Sequence, residues 1–131
     1  MEEQQFNEFN PIDKLHINGK LTEGENIADL GGLKIAYAAL QKRLAQLPPE
    51  ERNRKIDGLT PAQRFFIAYA QSWREKSRPE FLQLQVKSNP HSPPEFRVNG
   101  PLANLPDFAN SFGLPTGSPM VQPDAERVII W

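Results

Sequence analysis

The sequence predicts a mainly α fold, and three observations carry that expectation. Apolar residues recur at three- and four-residue steps from about Glu25 to Gln46, the spacing of one helical face. Thr60, Pro61 and Gln63 spell a helix start, and Phe66, Tyr69, Ala70 and Trp73 follow on one face. Strand-like alternation is confined to HINGKLT (16–22). A chain of 131 residues holds one domain with a core of its own and is short for two.

In order along the chain, EEQQFNEFN (2–10) fits a short helix that must end near Pro11, because proline disfavours helix in the residue before it. HINGKLT is expected to be extended, with a turn at Asn18-Gly19. The first long helix then carries Leu33, Ala36, Tyr37, Leu40, Leu44 and Leu47 as its apolar stripe. PPEERNRKIDG (48–58) reads as an exposed connection. The second long helix opens at Thr60 as cap, with Pro61 in the first turn and Gln63 closing a capping box. Pro79 marks its latest end, and PEFLQLQV (79–86) fits a further short helix. NPHSPPEFRVNGPL (89–102) holds four prolines and is expected to be an irregular but ordered loop. A last short helix fits 105–112, with Phe108 and Phe112 on it and Gly113 as its stop.

Composition excludes several functions. Lys plus Arg is 15 and Asp plus Glu is 16, a net charge of −1. The nearest thing to a basic patch, RNRK (52–55), follows Pro-Pro-Glu-Glu and reads as a solvated loop. No nucleic acid partner is expected. No apolar run approaches the roughly 20 residues of a membrane helix. The absence of cysteine removes disulfides, thiolate metal sites and cysteine nucleophiles.

The chemistry concentrates in GENIADLGG (24–32). Glu25 and Asp29 stand four apart, on one helix face, where like charges repel by about a few tenths of a kcal/mol. Gly31 and Gly32 weaken the same helix by roughly 0.5–1 kcal/mol each. Spacing alone fits a solvated face favoured by the helix dipole. The glycines point the other way, toward an element packed close beside the acids. A carboxylate so placed can ligate a metal while its neighbour orients another ligand. Only His16 and His91 are available to complete a set, and neither lies in a metal-ligand spacing. His91 and Arg97 sit on the proline-fixed segment; a lone loop histidine fits a structural or solvated role, while the pairing also suits a developing oxyanion and a substrate carbonyl. Trp73 is by spacing a core residue. Gly-rich phosphate loops, G-x-S-x-G and H-E-x-x-H are all absent.

Together, NGKLTEGEN (18–26), ENIADLGG (25–32), GLTPAQRFFIAYAQSW (58–73), PHSPPEFRVNGPLANLPDFANSFG (90–113) and Trp131 resemble the C-terminal end of the neprilysin-like zinc metallopeptidases. The bacterial oligopeptidases are the nearest members. The resemblance is collinear over nearly the whole chain.

That resemblance implies the C-terminal part of a zincin-like catalytic domain, two long helices with short helices and proline-rich loops. Glu25 matches the third zinc ligand, in an E-N-x-x-D motif. Asp29 matches the aspartate that accepts a hydrogen bond from a zinc-bound histidine. His91 matches the histidine that stabilises the tetrahedral transition state. Arg97 matches the arginine that grips a substrate carbonyl, and Trp73 lies where the family lines the pocket for the residue after the scissile bond. The implied cofactor is one Zn2+ and the implied substrates are short peptides cut on the amino side of apolar residues. The H-E-x-x-H part is missing from these 131 residues, so the chain reads as a truncated segment whose partner is the remainder of its own catalytic domain. In isolation it is expected to be inactive, to bind zinc weakly and to self-associate. An ending without the cysteine of eukaryotic members implies a bacterial protein, expected to be periplasmic or secreted. The alternative is a non-catalytic binding module on the same scaffold.

Overall fold

Seven helices make up the computed structural model, which describes residues 1–130. Trp131, one of the residues that carry the resemblance, lies outside them. The helices are α1 (Glu2–Glu8), α2 (Gly19–Ala45), α3 (Pro49–Arg52), α4 (Pro61–Ser72), α5 (Pro79–Ser88), α6 (Pro94–Ala103) and α7 (Pro106–Phe112). Among the described residues no helix is long and apolar enough to cross a membrane.

The first long helix starts at Gly19 rather than near Glu25, and 16–22 is not a strand. Asn18 is its cap: the side-chain oxygen accepts from Leu21 N at 3.0 Å, satisfying an otherwise orphaned first-turn donor. Glycine is required next because α1 presses there. A Cβ on Gly19 would lie 2.1 Å from the carbonyl oxygen of Glu3. Asn-Gly thus marks a cap and a close approach, which read in sequence as a turn. A Cβ on Gly32 would meet nothing within 4 Å among the described residues, whereas Gly31 beside it is buried.

Leu33 of the expected stripe is buried and Tyr37, Leu40, Leu44 and Leu47 are half-buried, but Ala36 is exposed. The core proper joins α2, α4, α6 and the cap of α7: Leu30, Leu33, Phe66, Val98, Leu102 and Leu105. Phe66 is its centre, stacked on Tyr37 at 4.9 Å and meeting Phe108 edge-on at 5.5 Å. The α4 capping box forms in full, Gln63 N donating to Thr60 Oγ1 at 3.2 Å and Thr60 N to Gln63 Oε1 at 2.9 Å. Gly113 stops α7 in the left-handed region at φ 62°.

The expected loop over 89–102 is helical from Pro94 onward. Proline at the first position of α6 gives up an N–H that has no helical partner there anyway. Pro101 falls in the last turn, where it deprives the Arg97 carbonyl of its donor. The 48–58 connection likewise contains α3, then a tight turn between Ile56 and Leu59 at Asp57-Gly58, both with positive φ.

Glu2 is 4% exposed and neither carboxylate oxygen has a partner. Burial pushes its carboxyl up to about 7; Glu23 adds to the rise and the N-terminal amine opposes it. The folded state therefore favours the protonated form, and stability falls as pH rises from the ordinary 4.5 through 7. Glu2→Gln should stabilise the fold at pH 8 by about 1–3 kcal/mol and have no effect at pH 4. Thermal unfolding at the two pH values checks this.

Candidate active site

α2 places Glu25 and Asp29 one turn apart, and the segment 89–97 runs alongside. His91 Nε2 lies 3.0 Å from Glu25 Oε2, with both side chains 43% exposed. His91 is held from its other side by Asn89. The Asn89 side-chain oxygen accepts from His91 N at 2.9 Å and faces His91 Nδ1 at 3.0 Å. Both ring nitrogens thus face oxygen atoms, which fixes the plane of the ring. Asn89-Pro90-His91 is an Asx-type turn, so the orienting role of Asn89 had a sequence signal that spacing arguments passed over.

Asp29 and Arg97 pair side by side. Arg97 Nε donates to Asp29 Oδ2 at 2.6 Å and Nη2 to Oδ1 at 2.8 Å, the fork geometry that only arginine offers a carboxylate. The side chains are 11% and 15% exposed respectively. The hydrogen bonds that Arg97 donates to Asp29 push its pKa above the ordinary guanidinium value, against the cost of burial. Each Asp29 oxygen keeps a lone pair free of this pairing, and Arg97 Nη1 stays outside it.

The guanidinium carbon lies 4.0 Å from the centre of the Trp73 ring, a cation–π contact. Trp73 also packs on the main core, so it is at once a core residue and a wall of the site. Tyr69 OH donates to Arg97 O at 2.7 Å. This is the carbonyl that Pro101 leaves without a helical donor. Burial, with the nearby Asp29 charge, pushes the Tyr69 phenol up to about 12, so it stays a donor.

Between these two contacts runs a buried neutral chain. Ser92 Oγ donates to Asn26 Oδ1 at 2.9 Å, Asn26 Nδ2 to Thr22 Oγ1 at 2.9 Å, and Thr22 Oγ1 to Asn18 O at 3.2 Å. The sequence gives no spacing signal for this contact, because it depends on which loop lies against α2.

The structure therefore gathers Glu25, Asp29, His91, Arg97 and Trp73 at one place. His16 lies elsewhere, its Nδ1 3.0 Å from Asn7 O. Among the described residues no group of three or more histidine, cysteine, aspartate or glutamate side chains could hold a metal ion. Of the acids, Glu25 is the exposed one, a single oxygen donor suited to zinc. The chain fits zinc as the contributor of one ligand and not as a complete site.

The pattern describing Peptidase family M13 matches residues 2–128. An endothelin-converting enzyme homolog of Locusta migratoria is 46% identical over 114 residues, covering 83% of this chain and 15% of that protein. Neprilysin-1 of Caenorhabditis elegans is 45% identical over 118 residues, again 15% of its length. The zinc metalloprotease Zmp1 of Mycobacterium tuberculosis, solved with an inhibitor, superposes with a TM-score of 0.90 at 38% identity over 99% of this chain and 20% of its own. PepO of Lactobacillus rhamnosis gives 0.78 at 31% identity, over 99% of this chain and 18% of its own. The seven helices correspond to the helical C-terminal part of a zincin-like domain. The chain is a member of Peptidase family M13 and spans only about a seventh of the curated relatives above.

Proposed function

We propose that this segment completes the active site of a zinc endopeptidase that cuts short peptides on the amino side of apolar residues. The observation that carries the reading is the convergence of Glu25, His91, Asp29, Arg97 and Trp73, drawn from α2, the C-cap of α4, α6 and the loop before α6.

Glu25 would hold Zn2+ together with ligands from outside these residues. When bound, the ion polarises the scissile carbonyl and lowers the pKa of water. The free lone pairs of Asp29 accept an N–H from a histidine ligand and fix its ring. His91 Nε2–H donates to the oxyanion as it develops, a transition-state interaction. Arg97 is aimed by Asp29 and by the Trp73 ring, which leaves Nη1 to donate to a substrate carbonyl. Trp73 offers apolar surface beside it for the following side chain. A purely non-catalytic module has no evident use for this set facing one place.

Two measurements test the reading. In the complete protein, Glu25→Ala should abolish both zinc retention, by metal analysis, and peptide hydrolysis; stoichiometric zinc in the variant would sink the assignment. The separated 131-residue segment should show no tight zinc binding by titration calorimetry, since one carboxylate is a poor site. Micromolar or tighter binding would overturn that. Ile35, Phe81 and Leu84 are 62%, 55% and 63% exposed, and the separated segment is expected to self-associate in sedimentation.

A further inference from the structure

Three rungs join α2 to the segment 91–97: Glu25 to His91, Asn26 to Ser92, and Asp29 to Arg97. The outer two, a carboxylate–imidazole contact and a carboxylate–guanidinium pair, belong to the site. The middle one is neutral and closed to water, with Asn26 and Ser92 each 1% exposed.

Donor accounting fixes its sense. Thr22 Oγ1 spends its hydrogen on Asn18 O, so it accepts from Asn26 Nδ2. The Asn26 oxygen must then face Ser92, whose hydroxyl donates to it. Asn26 follows Glu25 in the chain and Ser92 follows His91. We infer that the Asn26–Ser92 hydrogen bond is a register pin that sets the position of His91 against Glu25. Asn26 and Ser92 are positioning residues: neither touches the Glu25–His91 pair's outer face where substrate would lie. The inference rests on the reading of the site given above.

A pin is needed because the Glu25–His91 pair cannot hold the loop itself. Both partners are 43% exposed, and solvated pairs contribute little. Ser92 is the buried hydroxyl of the loop between α5 and α6, and the two prolines after it fix the path into α6. Losing the Ser92 donor frees the residue that carries His91 while leaving α2 intact.

The test compares two variants of the complete protein. Ser92→Ala removes the donor to Asn26 Oδ1. Thr22→Val removes the acceptor of Asn26 Nδ2, on the side away from His91. Each leaves one atom of the same buried carboxamide unpaired, so the two should lose similar stability. Only Ser92→Ala should lower kcat for a short peptide, by about 10- to 100-fold with KM within about twofold, as expected when a transition-state donor is misplaced. Ser92→Cys keeps a weak donor and should restore part of the loss. Crystal structures of the metal-free variants supply a readout independent of activity. His91 Nε2 should leave Glu25 in Ser92→Ala and stay in Thr22→Val. Equal kcat losses in the two variants, or an unmoved His91 in Ser92→Ala, would refute the pin. A wild-type protein that hydrolyses no peptide would refute the peptidase reading, and the His91 position in the crystals would still decide the pin.

Discussion

Asp29→Ala is expected to lower the unfolding free energy by about 2–4 kcal/mol, somewhat under the cost of orphaning a fully buried charge. The loss comes less from the missing attraction than from what remains. Arg97 is left charged at 15% exposure, and a guanidinium cannot escape by deprotonating. Asp29 is moreover what raises its pKa. Adding Arg97→Met to the alanine variant removes the orphaned charge and should recover most of the stability. Urea midpoints of wild type, single and double variants decide the matter. A single-variant cost below about 0.5 kcal/mol would class the pair with solvated surface bridges and discard this account. On the function proposed above, the same alanine variant of the complete protein should raise KM for a peptide, because the guanidinium assigned to the substrate carbonyl loses its fork.

Phe6→Ala should cost about 3–5 kcal/mol, the range for emptying a large aromatic site. Phe6 is 0% exposed, meets Phe9 edge-on at 5.2 Å and packs with Ile17 and Phe96 in a second core. Gly100 is shaped to receive it: a Cβ there would lie 2.4 Å from the tip of the Phe6 ring. Gly100→Ala therefore fails by overpacking, at about 1–3 kcal/mol. Gln5 ties the same junction, donating to Gly100 O at 3.2 Å and accepting from Asn104 Nδ2 at 2.7 Å. Thermal melts of both variants read the effect. A Phe6→Ala loss under about 1 kcal/mol would show that α1 is not docked in solution.

What could be read from sequence divides along physical lines. The α4 start was legible because Thr60, Pro61 and Gln63 act within one turn, and nothing distant competes with them. The start of α2 is ambiguous in the sequence because Asn18-Gly19 satisfies two patterns, turn and cap. The choice was made by Glu3, sixteen positions earlier in the chain, whose carbonyl fits only against glycine. Pro101 argued against a helix over 94–103, since one carbonyl goes unpaired; the remedy is the Tyr69 hydroxyl from another helix. Each of the five candidate residues that the structure brings together matches a motif of the family the sequence resembles. That Asp29 takes both nitrogens of Arg97, or that Arg97 lies over Trp73, is not carried by any motif. These contacts appear only when α2, α4 and α6 share a core.

The three rungs also have a kinetic meaning. The Asn26–Ser92 contact spans 66 positions and the Asp29–Arg97 contact 68. Closure entropy grows only with the logarithm of loop length and must be met before the first such contact forms. Once one rung closes that loop, the others add almost no further closure cost. α2 and α4 need only local contacts, which form sooner than distant ones. The bridging segment is therefore expected to dock late and to let go as one cooperative unit, while the helices that carry it persist.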